Sequence, residues 1–92
     1  MKMRQLFKDE SNWNQHSLAN NAEGAAVDID SPAAVSWCLV GGLYKCYMND
    51  MNNLYKIWER IDATTGPSAV SWNNHEHRTF QDIRSLVEEL DI

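Results

Sequence analysis

The sequence predicts an all-α fold, a compact three-helix domain with an irregular N-terminal arm, on three observations. Residues 33–47 run almost without charge, broken only by Lys45. Residues 51–61 carry apolar side chains at the helical period. Residues 79–90 open on a capping signal and continue as an amphipathic run. Helices are therefore expected at 32–48, 50–63 and 79–90. They sit in a single domain, 1–92, with 1–30 as the arm and 31–92 as the helical core.

The arm comes first. Met3, Leu6 and Phe7 stand at helical spacing before Asp9, Glu10 and Ser11, which predicts a short N-terminal helix. Residues 12–30 are polar and rich in Asn, with a turn expected at Gly24. They read as irregular, pinned to the core by Trp13, Leu18, Val27 and Ile29. About nineteen residues is more than compact domains leave structureless. The segment is either a functional loop or holds short structure with no periodic signal.

At Ser31 the pattern changes. Ser31 is placed to cap a helix, and Pro32 suits the first helical position. A helix apolar on all sides is a buried helix, so 32–48 should be the most buried element. Ala34, Cys38, Gly42 and Cys46 make a small stripe along it; Val35, Leu39, Leu43 and Tyr47 make a large one. Gly41 and Gly42 each cost about 1 kcal/mol mid-helix relative to Ala. Close approach of another helix accounts for them, and a kink is the alternative.

The next helix starts near Asn49 or Asp50. Met51, Leu54, Tyr55, Trp58 and Ile61 form its apolar face, and Asn52, Asn53, Lys56, Glu59 and Arg60 the opposite one. Thr64, Thr65, Gly66 and Pro67 stop it. Residues 68–72 allow one short helical turn, and 73–78 a polar loop. Thr79 caps the last helix, with Asp82 three residues on in the capping-box position. Phe80, Ile83, Leu86, Val87 and Leu90 face the core; Glu88 and Glu89 face solvent. Ala-Val-Ser-Trp occurs at 34–37 and at 69–72, but the flanks diverge at once and no repeat is inferred.

Parts of this pattern resemble a family of small bacterial and phage proteins known only as a domain of unknown function. The residues that carry the resemblance are Trp13 with Gly24, then Ser31-Pro32-Ala33-Ala34-Val35-Ser36-Trp37-Cys38-Leu39-Val40-Gly41-Gly42, then Trp72-Asn73-Asn74 and Arg78-Thr79. They correspond to a W-C-x-x-G-A helix and a C-terminal W-N-D and R-T pair. The chain departs at Gly42, where the family has Ala, and at Asn74, where it has Asp. The second departure removes a carboxylate from that position. The resemblance implies a shared fold and no particular activity, and it points to a phage or bacterial accessory protein.

Composition narrows the function classes. Thirteen acids outnumber eight Lys and Arg, for a net charge of −5. Nucleic-acid backbone and anionic membrane surfaces both call for a basic face, so neither is an expected partner. The opening residues lack the apolar run of a secretion signal, and no segment reaches the roughly 18 apolar residues of a membrane span. A cytoplasmic location follows, in which Cys38 and Cys46 stay reduced. Eight residues apart on one helix, they would lie about 12 Å from each other, too far to be joined. Four Trp, three Tyr and two Phe supply ample core material for roughly 64% burial.

Three constellations could carry chemistry. Cys38 with His75 or His77 and Asn73 has the residue types of a cysteine hydrolase. Two turns inside an apolar helix, however, burial would raise the thiol pKa. His75 and His77 with either Cys offer zinc ligands, but the paired short spacings of a structural site are missing, so neither metal nor cofactor is expected. Asn73, Asn74, Arg78 and Thr79 are the candidate ligand-binding residues. Arg78 can fork onto an anion beside the free amides of the last helix. The plainer reading, which the cap at Thr79 favours, is that Arg78 braces the turn against Asp82 or Glu59 while Thr79 only caps.

The leading expectation is a non-enzymatic binding protein that occupies a protein partner or sequesters a small anionic molecule, a use that could blunt a host defence. The alternatives are a small cysteine hydrolase using Cys38 with His75 or His77, and a homodimeric interaction module working through 50–63 or the arm.

Overall fold

Chain order sets the architecture. In the computed structural model, which describes residues 1–66 and 68–92, α1 (Met3–Leu6) and a 3-10 turn (Glu10–Asn12) lead into β1 (Ala19–Asn20) and β2 (Ser36–Trp37). Then follow α2 (Leu39–Tyr47), α3 (Met51–Thr65), α4 (Ala69–Asn74) and α5 (Phe80–Glu89). The fold is mostly α, but it is not the three-helix domain expected. Among the described residues five helices and a small antiparallel sheet build it.

The largest correction falls on residues 32–38. Ser31 Oγ accepts from Ala33 N and Ser31 O accepts from Ala34 N, so the Ser-Pro pair closes a turn instead of opening a helix. The chain then runs extended between two neighbours. On one side β1 pairs Ala19 with Trp37 and Asn20 with Ser36. On the other, Trp13 bridges Trp37, and Asn14 N donates to Trp37 O. A charge-free apolar run fits a buried strand as well as a buried helix. Here the partners that decide it come from the arm, which is part of the fold rather than laid across it. Within that arm, Asn21 Oδ1 accepts from Glu23 N and Ala25 N and closes the expected turn, with Gly24 at φ 81°.

Helix α2 therefore begins at Leu39, with Cys38 as its N-cap. Residues 36–43 are all buried, whereas 32–35 and 44–48 are not, so the buried rod is shorter than expected. A Cβ on Gly41 would lie 1.9 Å from the backbone oxygen of Leu18, and one on Gly42 would lie 2.5 Å from the Phe7 ring. Close approach explains both glycines. At Gly41 what approaches is the backbone leading into β1, not a second helix; at Gly42 it is the Phe7 and Leu6 side chains at the end of α1.

In α3, Leu54, Ile57 and Ile61 face the core and Trp58 packs beside them, edge-on to Tyr44 with centroids 5.9 Å apart. Met51 is 38% exposed and Tyr55 56% exposed, so the inward stripe lies one position round from the face read in the sequence. Asp50 caps the helix by accepting from Asn53 N. Gly66 ends it, and Pro67, read as part of that stop signal, lies outside the described residues. Helix α5 matches expectation: Thr79 and Asp82 form the capping box, and Ile83, Leu86 and Val87 are buried.

Residues 2–4 and 90–92 close on each other. Met3 N and Tyr47 Oη both donate to Ile92 O, and Ile92 is buried. Lys2 and Arg4 reach Asp91 at 3.0 and 3.3 Å. Among the described residues, no helix is long and apolar enough to cross a membrane.

Candidate functional site

Helix α4 carries two features on two faces. Its inward stripe is Ala69 and, one turn on, Asn73, where an apolar residue would ordinarily stand. Asn73 is 1% exposed and uses its whole amide. Its Oδ1 accepts from Trp13 Nε1 at 2.8 Å and Leu39 N at 3.0 Å. Its Nδ2 donates to Asn14 O at 3.3 Å and Asn74 Oδ1 at 2.9 Å. Leu39 N belongs to the first turn of α2, so Asn73 helps cap that helix while tying α4 to the arm. Asn74 Oδ1 also accepts from His16 N and holds His16 at φ 72°. Gln15 Nε2 donates to Asn73 O and His75 O, covering carbonyls at the end of α4.

Cys38 stands at the mouth of α2, not two turns inside a helix. Its Sγ accepts from Gly41 N at 3.3 Å. A helix N-terminus favours a thiolate, but burial outweighs that here and pushes the Cys38 thiol up. Burial also raises Cys46, to about 11. His75 and His77 lie exposed in the turn after α4, their rings 5.6 Å apart, and His75 Nδ1 accepts from His77 N at 3.1 Å. No hydrogen bond among the described residues joins either ring to Cys38, and no three His, Cys, Asp or Glu side chains there gather as metal ligands.

On the outer side of α4 lies a cleft of about 450 Å³, lined by Thr65, Ser68, Ser71, Trp72, His75 and Arg78. Arg78 is its one cation among those lining residues. The guanidinium carbon lies 4.0 Å over the Trp72 ring, Nε donates to Trp72 O at 2.8 Å, and NH1 stands 3.6 Å from Asp82. Stacking and the Nε bond hold the plane of the group; NH1 is shared with Asp82, and no hydrogen bond or ion pair among the described residues engages NH2. Ser68 Oγ accepts from Ser71 N and donates to Ser71 Oγ, which leaves Ser71 its own proton. Thr65 donates its proton to Ile61 O. With Nδ1 of His75 accepting, the neutral ring carries its proton on Nε2. A depression of about 510 Å³ beside Ala26, Val27, Asp28 and Ser31 offers one carboxylate and no cation.

The first turn of α5 is capped from within the chain. Asp82 Oδ2 accepts from Thr79 N at 3.0 Å, and Thr79 Oγ1 accepts from Asp82 N at 3.2 Å. The Thr79 amide, with help from Arg78, holds the Asp82 carboxyl below the usual range. Of the amides expected around Thr79, its own donates to the Asp82 carboxylate and that of Asp82 to the Thr79 hydroxyl.

The model of a family of unknown function, DUF6197, matches residues 1–90. The chain belongs to that family. No curated protein and no solved structure matches it. Of the four residues singled out in this DUF6197 chain, only Arg78 lines the cleft. Asn73 is buried, Asn74 pins His16, and Thr79 caps α5. Thr65, Ser68, Ser71 and Trp72 were missed as cleft residues. The available signal was the Ser68-x-x-Ser71-Trp72 spacing, which puts two hydroxyls and an indole on one side of a short helix.

Proposed function

We propose that this DUF6197 protein is a non-enzymatic binding protein that takes a small anionic molecule in the cleft at Arg78. One observation carries the reading: among the described residues, the cleft has several donors left uncommitted. They are NH2 of Arg78, whose NH1 is shared with Asp82, the Ser71 proton and His75 Nε2–H. Donors lining a cavity of metabolite size suit an acceptor-rich, negatively charged guest. The raised thiol of Cys38, apart from either histidine, supports binding over catalysis. Retention without turnover would also serve an accessory protein that blunts a host defence by holding a signal molecule.

Native mass spectrometry of the protein purified from its own host tests the reading. A small anion should be retained and be lost from Arg78→Ala. An anion that survives that substitution sends the binding elsewhere on the molecule. A second reading, a protein partner or a second copy, draws on the exposed Met48 at the end of α2 and the exposed Met51 and Tyr55 in α3. Sedimentation at several concentrations addresses the second copy, and a strict monomer removes it.

A further inference from the structure

Building on the Arg78 cleft as an anion site, we infer that its ligand is a small carboxylate on an apolar body, and not a phosphate. Charge is the first reason. Among the described residues lining the cleft Arg78 is the only cation, and Asp82 at 3.6 Å already offsets part of it. A phosphate monoester brings about −1.5 to −2 at pH 7, whereas a carboxylate brings a single charge.

Donor supply is the second reason. Two guanidinium N–H groups, Ser71 and His75 Nε2–H roughly match the four lone-pair sites of a carboxylate. A phosphate has more oxygens to satisfy and ordinarily draws on helix N-terminal amides. At the start of α5 the Asp82 carboxylate already sits between Thr79 N and Arg78 and would repel a second, more highly charged anion there. The chain thus displays at Arg78 the kind of group the cleft accepts. A planar carboxylate also meets the fixed guanidinium edge in register, two parallel bonds at once.

The body of the ligand follows from what remains. Thr65, its proton spent on Ile61 O, has a methyl group to offer, and Trp72 the part of its indole that neither Arg78 nor the core covers. Both favour hydrocarbon over a hydroxylated or charged body.

Titrations of the full chain with sodium benzoate, sodium phosphate and sodium chloride at matched ionic strength, followed by proton–nitrogen NMR, separate the possibilities. Benzoate should give saturable shifts at the Trp72 indole and Arg78 Nε, with a Kd on the order of 1 mM for a fragment of this size. Phosphate should match chloride. Arg78→Lys, which keeps the charge but loses the fork, should weaken benzoate at least about tenfold. Asp82→Asn keeps an oxygen for Thr79 N and removes the competing charge, so it should tighten benzoate roughly two- to fivefold. Saturable phosphate binding that equals or exceeds benzoate overturns the carboxylate inference and leaves the anion reading standing. Failure of both anions at Trp72 and Arg78 overturns the two together. Weaker benzoate binding in folded Asp82→Asn also overturns the carboxylate inference.

Discussion

Asn73 exchanges water for four protein partners, and the exchange is favourable only while all four remain. In Asn73→Ala, Trp13 Nε1 and Leu39 N lose their acceptor inside the protein. Leaving such groups unpaired costs about 3 kcal/mol, and chemical denaturation should show that loss without a change of slope. Gly41 is held as tightly by space. A methyl group there meets a backbone oxygen that cannot rotate away. Gly41→Ala should cost about 3 kcal/mol and lower the melting temperature by more than about 10 °C, whereas exposed surface positions tolerate such changes. Cys38 gives a third expectation. Its thiol, raised by burial, should react with a disulfide reagent only as fast as the protein opens. Rapid modification of the native state, with a titration midpoint below about 8, would restore the hydrolase alternative.

At the scale of elements, the capping box of α5 gives a pH signature. The Asp82 carboxyl is held below its ordinary value by the Thr79 amide, and that of Asp91 by Lys2. Groups depressed in the folded state stabilise it above their unfolded pKa of about 4 and lose that contribution as pH falls through the folded value. Thermal melts between about pH 6 and pH 2 should therefore decline, and Asp82→Asn should decline less steeply. Thr79→Ala should cost about 1 kcal/mol at neutral pH. The same box was legible in the sequence because capping is local. So were α5, most of α3 and the turn at Gly24. Residues 32–38 were not, and Ala-Val-Ser-Trp shows why. At 34–37 the tetrapeptide ends in β2, while at 69–72 it is helical. Ser68 caps the helical copy, and strand partners from residues 13–20 claim the extended one. Tertiary neighbours decided the outcome, and four residues cannot announce them. The inward stripe of α3 slipped for a related reason: Met51, Tyr55 and Trp58 satisfy the helical period as well as Leu54, Ile57 and Ile61 do.

On the scale of the whole molecule, the α1 region and the residues after α5 lock together through Ile92 O. Tyr47→Phe removes one of its two donors and should cost about 1 kcal/mol. Amide exchange at Met3 should accelerate in that variant more than exchange in α3. The candidate site was only partly legible at this scale. Arg78 was readable as a cation beside a helix start. The cleft, however, is made by the end of α3, one side of α4 and the following turn, and no single stretch of sequence shows that meeting.

The bonds at Asn73 also constrain the order of folding. They span 60 residues to Trp13, 59 to Asn14 and 34 to Leu39. None forms until loops of those lengths have closed, so the entropy is spent before the reward arrives. A chain this rich in helix would otherwise refold within microseconds to milliseconds; with such non-local closures, stopped-flow fluorescence should find it toward the slower end of that range or beyond. Trp13 should acquire its native emission late, after α3 and α5 have regained their far-ultraviolet signal.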